Sequence, residues 1–268
     1  MAETSNSIQR LTIRIGRNTM AMLNQTDGSE EVVYEPYVVK SGVSMAANLR
    51  EAFKNSDLLL QAPPRVRVLI DTDALLVPVE IFEESSMEEL YRHAYPRQEQ
   101  DLITYNVLPN LYVVAVFPVN KDLKLVLDDH FSDVRLVMAM QPVWSHLHQR
   151  SFTGMNRKLY GYFREKRLDV FAFQKNRFKF CNSFDASRSK DAVFFISYVW
   201  KQLQLDAEAD ELHLVGDIPD EADVTAALRR FIKKVLVVNP SADFSQHPVT
   251  EIKGVPYDLQ ALVVKGRS

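Results

Sequence analysis

The order of secondary-structure patterns constrains the fold of this chain more than any single motif, because one order occurs twice. Predicted strands open the chain at residues 11–15, 20–23 and 32–39, and a helix and a further strand follow them. Three more short strands begin after Thr153-Gly154, and helices then alternate with strands. We therefore predict an α/β protein in which one β-β-β-α-β-α type unit is used twice.

The length and the position of the second copy predict two domains. The chain has 268 residues, which is enough for two separate cores. We assign residues 1–152 to the first domain, with a small insertion subdomain at about 75–131, and residues 153–268 to the second. Residues 257–264 form a last element whose type the pattern does not decide.

Composition excludes several other classes of protein. Hydrophobic residues make up 46% of the chain and the formal net charge is only −3, so the chain is not disordered. A disulfide scaffold is excluded because Cys181 is the only cysteine. We find no apolar run of about 18 residues, so we expect no membrane span. The start, MAETSNSIQR, lacks the apolar stretch of a signal peptide, and we therefore expect a cytoplasmic protein.

The repeated order, with an insertion in its first copy, resembles the actin-like ATPase superfamily. Four segments carry this resemblance: the opening TIRIG hairpin, the LYVVAVF strand and the helix after it, the strand end Met138-Ala139-Met140-Gln141, and the PYDLQALVV tail. Within that superfamily, which has a ribonuclease H-like fold, the insertion is most similar to those of bacterial cell-division and pilus-assembly proteins. The chain is identified as similar to a bacterial domain-of-unknown-function family with this fold, over almost its whole length.

The resemblance implies ATP and Mg²⁺ in a cleft between the two domains. In the superfamily, an Asp-x-Gly turn in each opening hairpin holds phosphate and positions Mg²⁺, and a Gly-Gly element lies against the adenosine. This chain has Arg14-Ile15-Gly16 in the first hairpin and Arg164-Glu165-Lys166-Arg167 in the second, and Gly216-Asp217 stands at the adenosine position. Arg14, Gly16, Gly216 and Asp217 are thus the candidate nucleotide-binding residues.

All three positions depart from the superfamily pattern. An arginine cannot hold Mg²⁺, although Arg14 could pair with a phosphate. The simpler interpretation places Arg14 on the solvated face of its strand. We therefore expect an actin-like fold without ordinary ATP hydrolysis.

Asp71 and Asp73 end the apolar strand VLIDTD and are the candidate catalytic residues. Two carboxylates at the end of a strand can hold a hard cation, so an alternative function is a divergent Mg²⁺-dependent nucleotide-binding or phosphate-transferring enzyme. The other interpretation gives them a turn and helix-cap role. We expect no other metal site, because the histidines and the single cysteine have no matching carboxylate cluster.

The distribution of charge suggests partners. Residues 157–179 contain eight Lys or Arg and two acids, with aromatic residues interleaved, which is a pattern that can bind single-stranded RNA. The candidates for such binding are Arg164, Lys166, Arg167, Arg177 and Lys179. The alternative is a sheet with one aromatic face and one solvated cationic face. Residues 206–223 contain eight acids and no Lys or Arg, and could dock a basic partner.

These observations together predict a pseudo-ATPase: a protein with an actin-like fold that is catalytically degenerate and acts in the cytoplasm as an interaction or scaffold protein. Its partner is expected to be another protein, which the sequence does not identify. The Mg²⁺-dependent enzyme and the RNA-binding module remain the alternatives.

Overall fold

The computed structural model describes residues 9–26, 31–96 and 101–265, and the chain divides into two compact units. The first unit contains Met1–Pro109, Val113–Pro142 and Gln246–Ser268. The second contains Asn110–Tyr112 and Val143–Ser245. Each unit is described by itself below.

The elements alternate as the sequence pattern predicts. The strands are β1 (Gln9–Ile15), β2 (Met20–Thr26), β3 (Val32–Tyr37), β4 (Arg65–Ile70), β5 (Leu75–Pro78), β6 (Asp101–Leu108), β7 (Val113–Asn120), β8 (Asp133–Met138), β9 (Lys158–Arg164), β10 (Arg167–Gln174), β11 (Arg177–Asp185), β12 (Glu211–Gly216) and β13 (Lys234–Val237). The helices are α1 (Met45–Asn55), α2 (Asp57–Leu60), α3 (Met87–Ala94), α4 (Lys121–His130), α5 (Met140–Ser151), α6 (Ser189–Gln202), α7 (Glu221–Leu228), α8 (Pro240–Asp243) and α9 (Tyr257–Lys265).

The main sheet of the first unit has the strand order β3-β2-β1-β4-β8. The strands β1, β2 and β3 pair antiparallel, whereas β1 pairs parallel with β4 and β4 parallel with β8. Residues 11–15 alternate apolar and polar side chains, which predicts a half-buried strand, yet all five are buried. The sheet positions β1 between β2 and β4, and both of its faces are covered.

A smaller antiparallel sheet, with the order β5-β7-β6, forms the predicted insertion in the first unit. Residues 113–119 of its central strand β7 are all buried, as the uniformly apolar LYVVAVF segment predicts. The sequence analysis missed β6. The Asn106 side chain of β6 bonds to the backbone of β8, donating to the Leu136 carbonyl at 3.1 Å and accepting from the Met138 amide at 2.8 Å.

The second unit repeats the main sheet of the first. Its order is β11-β10-β9-β12-β13, again with three antiparallel strands followed by two parallel ones. Its helices α6 and α7 pack on one face of the sheet, over Leu168, Val170 and Ala172 of β10. The predicted fold, two copies of one α/β unit with an insertion in the first, is therefore confirmed.

The C-terminal segment lies in the first unit, whereas the sequence-based division assigns it to the second domain. Leu259 and Val263 of α9 share an apolar cluster with Leu69 of β4 and Val137 of β8. This packing places the last helix in a core formed with strands of the first unit, and a boundary drawn along the sequence cannot represent it. The undecided last element is the helix α9. Among the described residues, no helix has the length and apolar character needed to cross a bilayer.

The Asn106 bridge yields a stability prediction. Replacing Asn106 with Leu leaves the Leu136 carbonyl and the Met138 amide without these bonds, so we expect a loss of about 1–3 kcal/mol in the free energy of unfolding. Urea denaturation measures this loss. The control is Leu102→Ala, an exposed substitution on the same strand that we expect to change the midpoint little. If Asn106→Leu were as stable as Leu102→Ala, the two hydrogen bonds of Asn106 would not contribute to stability.

Candidate functional site

Two parallel strands bring the first pair of candidate residues together. Ile15 of β1 pairs with Ile70 of β4, and the Asp71 amide donates to the Ile15 carbonyl at 2.9 Å. Arg14 near the end of β1 and Asp71 directly after β4 therefore lie side by side at one edge of the sheet. Both side chains are buried, with exposed fractions of 5% for Arg14 and 1% for Asp71.

The Arg14 guanidinium is surrounded by acceptors from its own unit. Its Nη2 lies 3.2 Å from Asp71 Oδ2, and its Nη1 donates to Thr19 Oγ1 at 3.0 Å. Its Nε lies 2.9 Å from both carboxylate oxygens of Asp258, and its Nη2 lies 2.8 Å from Asp258 Oδ2. The interpretation of Arg14 as a residue on a solvated face is wrong, because this central strand is covered on both faces and Arg14 has buried carboxylate partners.

Asp258 is the residue that the sequence analysis missed. It lies in the first turn of α9, where the helix dipole favours a negative charge, and its side chain is fully buried. The sequence separation from Arg14 is 244 residues, so no local pattern relates the two. The sequence offers one indication of this role, which is an aspartate inside the otherwise mostly apolar PYDLQALVV tail. An aspartate that is buried with such a segment needs a charged or hydrogen-bonding partner.

The turn of the same hairpin carries a second, more exposed pair. Gly16 is buried and its amide donates to the Thr19 carbonyl at 2.8 Å, which closes the turn. Arg17 Nη2 lies 3.2 Å from Asp73 Oδ2, and these side chains are 49% and 24% exposed. Asp71 and Asp73, the two candidate catalytic carboxylates, therefore each face an arginine of the first hairpin.

Tyr34 of β3 is electrostatically coupled to the same group of charges. Its hydroxyl donates to the Gly254 carbonyl at 3.0 Å. Burial raises the pKa of Tyr34, the positive charge of Arg14 acts to lower that pKa, and the negative charge of Asp258 raises it. Tyr34 therefore remains a neutral hydrogen-bond donor in the ordinary pH range.

The second hairpin also places an arginine at the end of its first strand. Arg164 ends β9, and Glu165 and Lys166 form a two-residue turn with positive φ angles of 44° and 64°. Two successive residues with positive φ are the geometry of a tight type I′ hairpin. The turn is thus closed without the glycine that the superfamily pattern expects at this position.

The two arginines of this hairpin have side-chain partners inside the second unit. Arg164 Nε donates to Asp169 Oδ2 at 2.8 Å, and the side chains are 4% and 7% exposed. Arg167 donates to Ser183 Oγ at 2.6 Å, and that hydroxyl donates to Asp169 Oδ1 at 2.8 Å. Among the candidates for RNA binding, Arg164 and Arg167 are therefore buried, whereas Lys166, Arg177 and Lys179 are exposed.

Gly216, at the end of β12, meets a steric demand of the sheet. Its φ is +87°, and a Cβ atom at this position would lie 2.2 Å from the Phe163 carbonyl oxygen. The next residue, Asp217, is exposed, and its amide donates to that same carbonyl at 3.1 Å. The close approach of β12 to β9 therefore requires glycine here, whether or not a ligand binds.

No group of three or more His, Cys, Asp or Glu side chains in residues 9–26, 31–96 and 101–265 is arranged to hold a metal ion. The burial of Cys181 and the nearby Asp169 raise the pKa of its thiol, and Arg164 opposes this effect. Among the candidate residues, Asp71, Asp73 and Arg164 each form an arginine–carboxylate pair within their own unit.

Comparison with known proteins identifies the family. The sequence model of a family described as "Protein of unknown function (DUF3822)" matches residues 2–235. The chain belongs to this family. A search of curated protein sequences finds no match.

Two solved structures are similar to this DUF3822 chain. A protein of unknown function with an actin-like ATPase fold from Bacteroides thetaiotaomicron VPI-5482 is 26% identical, with 98% of each chain covered and a TM-score of 0.84. A chain in the PilM–PilN type IV pilus biogenesis complex is 13% identical, with 97% of this chain and 98% of that chain covered and a TM-score of 0.57. The actin-like ATPase fold is thereby shown.

The Arg14 cluster predicts a strong and non-additive effect on stability. Replacing Arg14 with Met leaves Asp71 and Asp258 as two buried carboxylates without their guanidinium, and we expect a loss of about 3–5 kcal/mol in the free energy of unfolding. Adding Asp71→Asn and Asp258→Asn removes both charges, so the triple variant should be more stable than Arg14→Met alone. Urea unfolding of the wild-type protein, Arg14→Met and the triple variant gives the comparison. A triple variant less stable than Arg14→Met would contradict a coupled cluster.

Gly216 allows a matched test of steric demand. Gly216→Ala should lower the free energy of unfolding by more than Gly154→Ala in the same unit. Both glycines have positive φ, but a Cβ at Gly154 meets nothing within 4 Å. We expect about 1 kcal/mol for Gly154→Ala, from backbone strain alone, and several kcal/mol for Gly216→Ala. Thermal unfolding measures the stability of both variants. Equal losses would show that the close approach to the Phe163 carbonyl does not add to the cost of an alanine.

Proposed function

We propose that this DUF3822 protein is a pseudo-ATPase, an actin-like protein that has lost ordinary ATP turnover and acts in the cytoplasm by binding partners. One observation carries the proposal: the guanidinium of Arg14 stands in the first hairpin and is held by Asp71 and Asp258. Because a buried cation with two carboxylate partners is already neutralised, it has little free energy to gain from a phosphate.

The residues of the first unit do not fit Mg²⁺–ATP. Mg²⁺ needs carboxylate or carbonyl oxygens and a phosphate oxygen in octahedral geometry. Asp71 faces Arg14 and Asp73 faces Arg17, so a divalent cation at either carboxylate would have to displace or tolerate an arginine. This arrangement also disfavours the alternative of a Mg²⁺-dependent enzyme that uses these two aspartates.

The second unit supports the same proposal. Its hairpin has neither an aspartate nor a glycine at the turn, and Arg164 pairs with Asp169 inside the unit. Gly216 is explained by the approach of the backbone to Phe163, so its presence is not a sign of an adenosine site. Arg14 in the first unit, and Arg164 and Gly216 in the second, thus have roles inside the fold, which supports the proposal.

An interaction role follows from what the fold retains. A chain of the same fold takes part in the PilM–PilN complex, and we propose that this protein likewise acts through a partner. The RNA-binding alternative is less well supported, because Arg164 and Arg167 are buried and Phe171 and Phe173 pack against each other and against Tyr160.

Thermal unfolding with and without Mg²⁺–ATP tests the loss of nucleotide binding. A ligand at about a hundred times its dissociation constant adds about 2.7 kcal/mol, which would raise the midpoint by several degrees. We expect no rise with about 1–5 mM Mg²⁺–ATP, which is far above the dissociation constant of a tight site. A reproducible rise of several degrees would refute the proposal.

Phosphate release provides the matching activity measurement. We expect the wild-type protein and the Asp73→Ala variant to release phosphate from ATP at the same background rate. Asp73 is partly exposed, so its removal should leave the fold intact. Turnover that falls in Asp73→Ala would favour the Mg²⁺-dependent enzyme instead.

A further inference from the structure

One loop of the second unit exposes apolar side chains, and a neighbouring turn exposes cations. The loop after α5 contains Phe152, which is 60% exposed, and Met155, which is 102% exposed. The turn between β10 and β11 is followed by exposed Arg177 and contains exposed Lys175. Exposed apolar side chains that lie close together, with cations beside them, are typical of sites that bind another surface.

His148 of α5 holds the two loops next to each other. Its ring lies 4.8 Å from the Phe152 ring and 5.1 Å from the Phe173 ring, measured between centroids. Phe173 lies near the end of β10, just before the β10–β11 turn. The loop after α5 and this turn therefore lie close to each other.

The two loops themselves carry cations and no acids. Residues 151–158 contain Arg157 and Lys158, and residues 174–179 contain Lys175, Arg177 and Lys179. Arg157 pairs with Asp210, so the cations of the β10–β11 turn and of the start of β11 carry the charge argument. The Arg177 guanidinium also lies 5.4 Å from the centre of the Tyr112 ring, which is itself 49% exposed. We call Phe152, Met155, Lys175, Arg177 and Lys179 the cationic–apolar surface.

We propose that the cationic–apolar surface binds the surface of an anionic lipid bilayer. Exposed apolar side chains enter the boundary between headgroups and acyl chains, and cations beside them pair with lipid phosphates. The structure favours lipid over single-stranded RNA. A base needs flat aromatic faces on which to stack, and β10 and β11 offer few, because Phe171 is buried and Phe178 packs against Trp144. This inference goes beyond the proposed function, which leaves the partner open.

Co-sedimentation with vesicles tests the proposal on the full chain. Vesicles of phosphatidylglycerol and phosphatidylcholine in equal parts should pellet the wild-type protein, and phosphatidylcholine vesicles should not. Each Lys or Arg near an anionic bilayer strengthens binding about fivefold, so binding to anionic vesicles should also weaken as salt is raised.

Two double variants separate the apolar and the cationic contributions. Phe152→Ser with Met155→Ser removes the inserting side chains, and Lys175→Glu with Lys179→Glu reverses two charges. Each should lower the partition onto anionic vesicles by about tenfold or more. All four positions are exposed, so unchanged circular dichroism is expected and confirms that the variants are folded.

Matched controls come from α6, which packs on the opposite face of the sheet. Phe194→Ser removes an aromatic side chain that is 63% exposed, and Lys190→Glu reverses an exposed charge. Both should bind vesicles as the wild-type protein does. If α6 controls and surface variants bind equally well, or if the wild-type protein ignores anionic vesicles, the proposal is refuted.

The outcome for RNA is also decisive. If a labelled single-stranded oligonucleotide binds and the surface variants lose it while vesicles do not bind, the surface is a nucleic-acid site and the lipid proposal is wrong. The vesicle assay contains no nucleotide. Its failure is therefore distinguishable from failure of the pseudo-ATPase proposal, which would appear as an ATP-induced rise in the unfolding midpoint.

Discussion

The ion pairs of Arg14 with Asp71 and Asp258 are the interaction on which the first unit depends. A guanidinium in the central strand of a covered sheet cannot remain without partners, because burying an unpaired charge costs several kcal/mol. Asp71 comes from the neighbouring strand β4, and Asp258 comes from α9 near the other end of the chain. The cluster thus fixes the C-terminal helix to the first hairpin and neutralises the hairpin's charge in the same arrangement.

The second unit also pairs a buried hairpin arginine with a carboxylate, but the residues and their spacing differ. Its sheet has the same strand order as the sheet of the first unit. The first strand of its hairpin, β9, is covered on both faces and ends at an arginine, Arg164. The partner here, Asp169, lies only five residues away, so the pair is local to the hairpin. Both units therefore use internal charge pairing at the place where actin-like ATPases use a carboxylate and a phosphate. This parallel is the physical basis for regarding the protein as a pseudo-ATPase.

The proposed partner binding draws on a surface away from the charge pairs. The cationic–apolar surface lies on the second unit at the loop after α5 and at the β10–β11 turn, and neither of these belongs to the hairpin that holds Arg164. The sheet of the second unit supports both of these segments. Binding to a partner then depends on side chains at loop tips, which the sheets hold in place.

The sequence by itself determined the order of the elements and the departure from the phosphate pattern. Both are local properties. Alternation, helical spacing and turn residues act within a few positions, and the arginine at position 14 can be read from the sequence without a structure. Tertiary structure decided that Arg14 is buried, that Asp258 is its partner, and that Arg164 and Arg167 are buried as well. These outcomes depend on which strand is central in a sheet and on which distant helix packs beside it. Pairing across 244 residues leaves no local pattern, so only the folded chain brings such charges together.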